Sequence, residues 1–154
     1  ELVRRHQGVV RGMMRRLSGD ASLADDLAQT TFMTAYRRIE TYSGGQFRAW
    51  LCAIAYRTFL QARRSAKPEI SSAEIIEFAA RDQHTPTPGL KMDLDRALAS
   101  LPNDQRVAII LCVNAGMSHS EVARLTGWPL GSVKSHVARG KQELRRLLAA
   151  YRVA

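Results

Sequence analysis

Only two cysteines, Cys52 and Cys112, occur in 154 residues. They lie far apart, each within an apolar helical pattern, which favours two reduced core thiols over a disulfide or a redox pair. His6, His84, His119 and His136 make no metal-ligand spacing with them or with each other. Long apolar runs are also missing: nothing approaches the roughly 20 residues of a spanning helix, and the stretch 107–113 reads as a buried helix segment. The first six residues lack the apolar stretch of a secretory signal. Residence in the cytoplasm without membrane insertion is therefore expected. No strand pattern of alternating polarity is present, which makes the fold class all-α. Enzymatic signatures are absent too. There is no glycine-rich phosphate loop after a strand, no nucleophile with an orienting base, and no carboxylate pair with an acid–base rationale. Asp25 and Asp26 are adjacent and so face different directions on a helix. Neither catalysis nor a cofactor is expected.

What the chain does have is positive charge, arranged in blocks. Residues 1–64 carry eleven cations against five anions, 65–89 two against four, and 90–154 ten against five. These surpluses of +6, −2 and +5 account for the net +9. Two basic blocks around a mildly acidic one point to a polyanionic partner, of which nucleic acid is the commonest for a soluble chain.

The first block reads as three helices. Residues 2–17 place Leu2, Val3, Val9, Val10, Met13, Met14 and Leu17 at helical spacing, with arginines elsewhere on the surface. Ser18, Gly19 and Asp20 stop this helix, and Ser22 with Asp25 is expected to cap the next. The second helix should bury Leu27, Phe32, Ala35 and Ile39. A polar loop, 41–46, leads to a third helix with Phe47, Trp50, Leu51, Ile54 and Ala55 on its apolar stripe, Trp50 being assigned to the core. Residues 65–89 contain Pro68, Pro86, Pro88 and Gly89, interrupted by the apolar-acidic piece 74–80, and read as a linker. Four helical stretches follow, at 90–100, 104–114, 119–126 and 132–151. The expected organisation is thus two small helical domains, 1–66 and 90–154, joined by a flexible linker over 67–89.

The sharpest local pattern lies near the C-terminus. Ser118 with Glu121 makes a capping box for a short helix with Val122, Ala123 and Leu125 inward. Gly127 supplies a turn, Pro129 and Gly131 close it, and a longer helix presents Val133, Val137, Leu144 and Leu148 to the core. Two helices joined this tightly form a DNA-binding helix-turn-helix, whose second helix enters the major groove. Positions off the apolar stripe are then groove-facing: Ser132, Lys134, Ser135, His136, Ala138 and Arg139. Lys134 or Arg139 can donate to guanine, and Ser135 to bases or phosphates. Lys141, Arg145 and Arg146 suit phosphates. The plainer alternative is a solvated helix face, and for His136 that alternative is equally good.

The run from Leu101-Pro102 to Arg106, then 118–123, Gly127, 131–135 and 139–148, resembles the C-terminal domain of extracytoplasmic-function (ECF) sigma factors. Asp25-Asp26-Leu27-Ala28-Gln29, Phe32 and Tyr36, 47–51 and Ile54-Ala55 resemble the N-terminal domain of the same family, in the right order. The resemblance implies a subunit that directs core RNA polymerase to promoter DNA under the control of an anti-sigma factor. It implies polymerase docking by Asp26, Gln29, Thr30 and Met33. Capture of the opened minus-ten strand would fall to a loop pocket at 41–47 and the helix after it, through Thr41, Ser43, Gln46, Arg48, Tyr56, Arg57 and Arg63, chemistry consistent with cationic and aromatic grips on single strands. The minus-thirty-five duplex would be read by the groove-facing residues of the second domain. The linker would thread toward the RNA exit path.

Three positions depart from the family pattern. Thr30 stands where an acidic residue is usual, which removes a charge from the docking face. Arg57 replaces a common Asn and leaves the preferred base open. His119 stands where an aromatic is more usual. Two other functions compete: a sigma mimic that sequesters an anti-sigma factor, against which the basic recognition helix argues, and a conventional helix-turn-helix regulator, against which the first-domain motifs argue.

Overall fold

The computed structural model describes residues 1–66 and 89–149. The expected linker lies outside the described residues except for Gly89, as do its piece 74–80 and the end of the last helix at Tyr151. Two compact units divide the chain, Glu1–Asp82 and Gln83–Ala154. Helices make up all the regular structure among the described residues, and the fold is all-α.

In the first unit, α1 (Leu2–Ser18) and α2 (Ala21–Arg37) pack on each other and both pack on α3 (Phe47–Ala66). Val10, Met13, Met14 and Leu17 form the buried side of α1, at the helical spacing expected. Leu2 and Val3 do not join them. They are 48% and 51% exposed, beyond the cover of the neighbouring helices. Gly19 ends α1 in the left-handed conformation (φ 70°), its N–H donating to the Arg15 carbonyl, a conformation that glycine adopts without a Cβ penalty. The second cap differs from the expectation. Asp20, not Ser22, accepts the Leu23 N–H at 2.9 Å, so α2 starts earlier and Ser22 is an exposed helical residue. Ala24, Leu27, Ala28, Thr31 and Ala35 line its buried face. Phe32 is half-buried and Ile39 is exposed, because α2 ends at Arg37 and a short 3-10 turn, Ile39–Thr41, breaks the helical phase. Thr31 enters the core at no polar cost, its hydroxyl donating to the Leu27 carbonyl at 2.7 Å.

The second unit contains α4 (Leu90–Ser100), α5 (Asn103–Ile109), α6 (His119–Thr126) and α7 (Leu130–Leu147). α5 runs into a π-helical turn, Ile110–Asn114, which buries Ile110 and Leu111 but leaves Val113 61% exposed and Cys112 half-buried. Cys112 is therefore not the core thiol expected, whereas Cys52 is fully buried and burial pushes its pKa up to about 11. α5 packs on α7 where α7 has no side chain: a Cβ on Gly140 would stand 2.8 Å from Ile109 Cγ1. Each fully buried Leu, Ile or Val in this core contributes about 1.5–3 kcal/mol over its exposed state.

Candidate nucleic-acid and polymerase interfaces

Unit two presents the helix-turn-helix. Ser118 Oγ accepts the Glu121 N–H at 3.1 Å, and the Glu121 carboxylate accepts the Ser118 N–H at 2.7 Å, which satisfies two otherwise unpaired donors of α6. Gly127, left-handed at φ 77°, closes α6. Thr126 then ties the turn from both sides, donating to the Val122 carbonyl at 2.7 Å and accepting the Trp128 N–H at 3.2 Å. α7 begins at Leu130, two residues before the expected start, with Pro129 as its N-cap and Gly131 inside the helix. Val133 and Val137 are buried, as is Gly140, and Leu144 and Leu148 are half-buried.

With about 100° per residue, Ser135, Ala138 and Arg139 lie near the centre of the face opposite that seam, and all three are exposed. Lys134 and Lys141 are exposed on one flank. Ser132 and His136 are half-buried on the other. Arg145 is exposed toward the C-terminal end of the helix. Arg146 makes two contacts with Glu143, at 2.6 and 3.0 Å, which hold the carboxyl pKa below its usual value and raise that of the guanidinium. His136 also has a packing partner, its ring meeting Trp128 edge-on at 5.2 Å. Sequence spacing did not reveal this contact, because Trp128 lies in the turn and belongs to neither helix's periodic pattern.

On the first unit, Asp26, Gln29, Thr30 and Met33 are all exposed on one side of α2. Thr30 folds its hydroxyl back onto the Asp26 carbonyl at 3.0 Å. Tyr36, 84% exposed and seven residues beyond Gln29, extends the same face. The seven-residue spacing that places Tyr36 beside the four residues implied by the family resemblance was available in the sequence.

The loop before α3 is braced from within. The Tyr42 hydroxyl donates to the Gly45 carbonyl at 2.6 Å, and Gly44 and Gly45 take φ of 99° and 87°. Rings of Tyr42, Phe47 and Trp50 meet at centroid distances of 5.4–5.5 Å, with His6 of α1 at 5.2 Å from Phe47. All four are half-buried. Trp50 therefore sits in a rim cluster and not in the core. Burial lowers the His6 pKa, helped by the nearby charges of Arg5 and then Arg48.

Thr41, Ser43, Gln46, Arg48 and Arg57 are exposed, and Arg63 is half-buried with its guanidinium over the Phe59 ring at 5.6 Å. Tyr56 must be corrected. It is 6% exposed and sits on the buried side of α3, so it does not lie along an open strand path. The helix also separates two arginines. Nine residues apart, Arg48 and Arg57 point about 180° from each other, whereas Arg48 and Arg63 lie within about 60°.

These features define a protein of two helical units, one with a helix-turn-helix and the other with a braced polar loop. Residues 2–69 match the model for sigma-70 region 2, and residues 91–144 match that for sigma-70 region 4. The ECF RNA polymerase sigma factor SigE of Mycolicibacterium smegmatis is 37% identical over 98% of this chain, which spans 62% of that relative's length. EcfG of Rhodopseudomonas palustris, another ECF sigma factor, is 35% identical over 86% of this chain and 75% of its own. Among solved structures, the sigma factor RpoE of Bartonella quintana, crystallised with the anti-sigma factor NepR, aligns at a TM-score of 0.71 with 28% identity, over 96% of both chains. The chain belongs to the ECF group of the sigma-70 family, whose members are transcription initiation factors.

Proposed function

We propose that the two units perform separate parts of promoter recognition, within the boundaries 1–66 and 90–154. The exposed side of α2, with Asp26, Gln29, Thr30 and Met33, docks on core RNA polymerase, and Tyr36 widens that contact. The loop 41–46 and the start of α3 hold the opened minus-ten strand. Exposed Thr41, Ser43, Gln46 and Arg48 surround the braced turn, while Arg63, on the same side of α3 as Arg48, meets phosphates farther along, and Arg57 on the opposite side lies off that path. α7 reads the minus-thirty-five duplex through Ser135, Ala138 and Arg139, with Ser132, Lys134 and His136 at the flanks and Lys141 and Arg145 on phosphates.

The observation that carries this reading is the exposed helix behind a closed capping box and turn, on a chain whose other half matches region 2 of the same family. The work is done by binding energy and not by covalent chemistry, and it takes place in the cytoplasm. No helix among the described residues is long and apolar enough to cross a membrane. Because RpoE of Bartonella quintana was crystallised with an anti-sigma factor, an inhibitor of that kind is the expected regulator here.

Run-off transcription with purified core polymerase and a library of fragments tests the reading. The chain should initiate on selected fragments without another sigma factor; failure to initiate on any fragment would leave a mimic or a conventional regulator. On a selected fragment, Arg139→Ala should relax preference at one duplex position, at a discrimination cost of about 1–3 kcal/mol. Arg145→Ala should weaken all sequences alike and reduce the salt slope by about one unit. Identical behaviour of the two would refute the groove assignment.

A further inference from the structure

His136 is the member of the groove face for which a base contact and a solvated side chain are equally good readings of the sequence. The structure sets it apart from the exposed lysines and arginines of α7. It is half-buried, and its ring meets that of Trp128 at 5.2 Å and 61°, the edge-to-face arrangement that aromatic pairs favour. Among the described residues no hydrogen bond engages the imidazole, so its nitrogens are open to an outside partner. Arg139 follows three residues later, a step of about 60° around the helix and about 4.5 Å along it. The imidazole therefore borders the centre of the exposed face. Trp128 is itself held on both sides. Its N–H donates to the Thr126 hydroxyl at 3.2 Å, and that hydroxyl donates to the Val122 carbonyl at 2.7 Å. Pro129 follows as the N-cap of α7 with φ −56°, a dihedral its ring locks.

We propose that Trp128 is a positioning residue for promoter specificity: its indole holds the His136 imidazole in one direction, so that His136 reads a single base pair of the duplex. The proposal rests on the duplex-reading role of α7 above and adds to it a residue of the turn that has no part in that role. An imidazole that swings freely meets a base edge or a phosphate with equal ease, and it discriminates little. One that is already packed has less side-chain freedom to lose on binding, and a base contact distinguishes its partners only when the side chain is locked in place by its neighbours. The neutral ring offers one donor and one acceptor, which makes its direction decisive. The braces on Trp128 belong to the turn between α6 and α7, so the same hydrogen bonds that close the helix-turn-helix also aim one of its readers.

The test measures binding of holoenzyme, reconstituted from core polymerase and the full chain, to a promoter fragment chosen by run-off transcription and to fragments carrying each single base-pair change in the minus-thirty-five element. Wild type should show a preference of about fivefold or more, the lower end for one base contact, at a position where His136→Ala shows none. Trp128→Leu fills the turn without a planar ring. It should erase most of that same preference and leave intact the position that Arg139→Ala relaxes, whereas Trp128→Phe keeps a ring and should retain both. Joining Trp128→Leu to His136→Ala should remove nothing further at that position, since the two act as one unit. Thr126→Val releases the Trp128 N–H while the indole stays in place, and should weaken the same preference and no other. A Trp128→Leu variant that weakens every fragment alike, with the pattern of preferences unchanged, would reduce Trp128 to a filler of the turn and overturn the proposal. A pattern untouched by His136→Ala would overturn it as well. If wild-type holoenzyme prefers no base pair anywhere in the element, the duplex-reading role of α7 falls and the proposal with it. A preference that Arg139→Ala removes, beside a His136 position that Trp128→Leu leaves whole, ends the proposal alone.

Discussion

The two units present their exposed residues in opposite ways. The second carries them on a helix, at fixed angular intervals, with its placement set by the Ser118–Glu121 box, Gly127 and the close crossing at Gly140. The first offers a loop, whose shape depends on a tyrosine hydroxyl, two left-handed glycines and four rings contributed by three segments of chain. A rigid element preorganises its side chains through its own backbone geometry, whereas a loop must be braced by neighbours. A promoter duplex is regular and suits the first device. An unstacked base has no regular partner and suits a pocket.

The greatest damage to the rigid half should come from Gly140→Leu. The side chain has nowhere to go: its Cβ alone would approach Ile109 Cγ1 to 2.8 Å and Ile109 Cδ1 to 3.2 Å. Overpacking of this kind costs about 1–3 kcal/mol, or roughly 4–8 °C per kcal/mol for a unit of this size. Gly131→Ala in the same helix meets nothing within 4 Å and should be neutral or stabilising. In thermal unfolding of the full chain followed by circular dichroism, only the second unit's transition should move in the Gly140 variant, and Ile109→Ala should partly restore it. Equal effects at the two glycines would mean that the crossing is not close.

A smaller loss, about 1 kcal/mol, is expected from Ser118→Ala, which removes one acceptor of the capping box. Since α6 carries the turn that aims α7, duplex affinity should fall with stability while the salt slope stays constant, because no phosphate contact is lost. A changed slope would show that Ser118 touches DNA itself.

The rigid half was also the more legible from sequence. Its capping box, the Gly127 turn and the seam of Val133 and Val137 all follow from local spacing, whereas the start of α7 was misjudged by two residues and the π-helical turn that brings Cys112 out of the core left no local sign. In α3 the apolar stripe was centred on Phe47, Trp50 and Ile54, which put Trp50 inside and Tyr56 outside. The structure rotates that centre toward Cys52 and Ala55, because α1 and α2 cover α3 from two sides and bury a wide arc that includes Ala49, Cys52, Ala55, Tyr56 and Phe59. Small residues mark a close approach as surely as large ones, but a stripe drawn through the largest side chains misses them. The Trp50 cluster needed Tyr42 and His6 as well, partners from other segments whose proximity is a tertiary fact with no local period. The same limit hid the contact between Trp128 and His136.

The smallest effect tests the bracing of the loop half by pH. His6 packs against Phe47 and faces Arg5 and Arg48, and its folded-state pKa is lowered from 6.5, first by burial and then by those two charges. The unfolded chain therefore binds a proton at a pH where the folded chain does not. Stability from this group is fully present above about 6.5 and is lost as pH falls from there through the lower folded value. The loop unit should thus loosen on mild acidification. Trp50 fluorescence followed from pH 7.5 to 5, in a Trp128→Phe background, reads the first unit alone. His6→Phe keeps a ring against Phe47 and removes the titration, so its curve should be flat across that window. If the acid-induced change persists in the phenylalanine variant, the cluster is not held together by a neutral His6, and the bracing of the loop must come from Tyr42 and Gly45 alone.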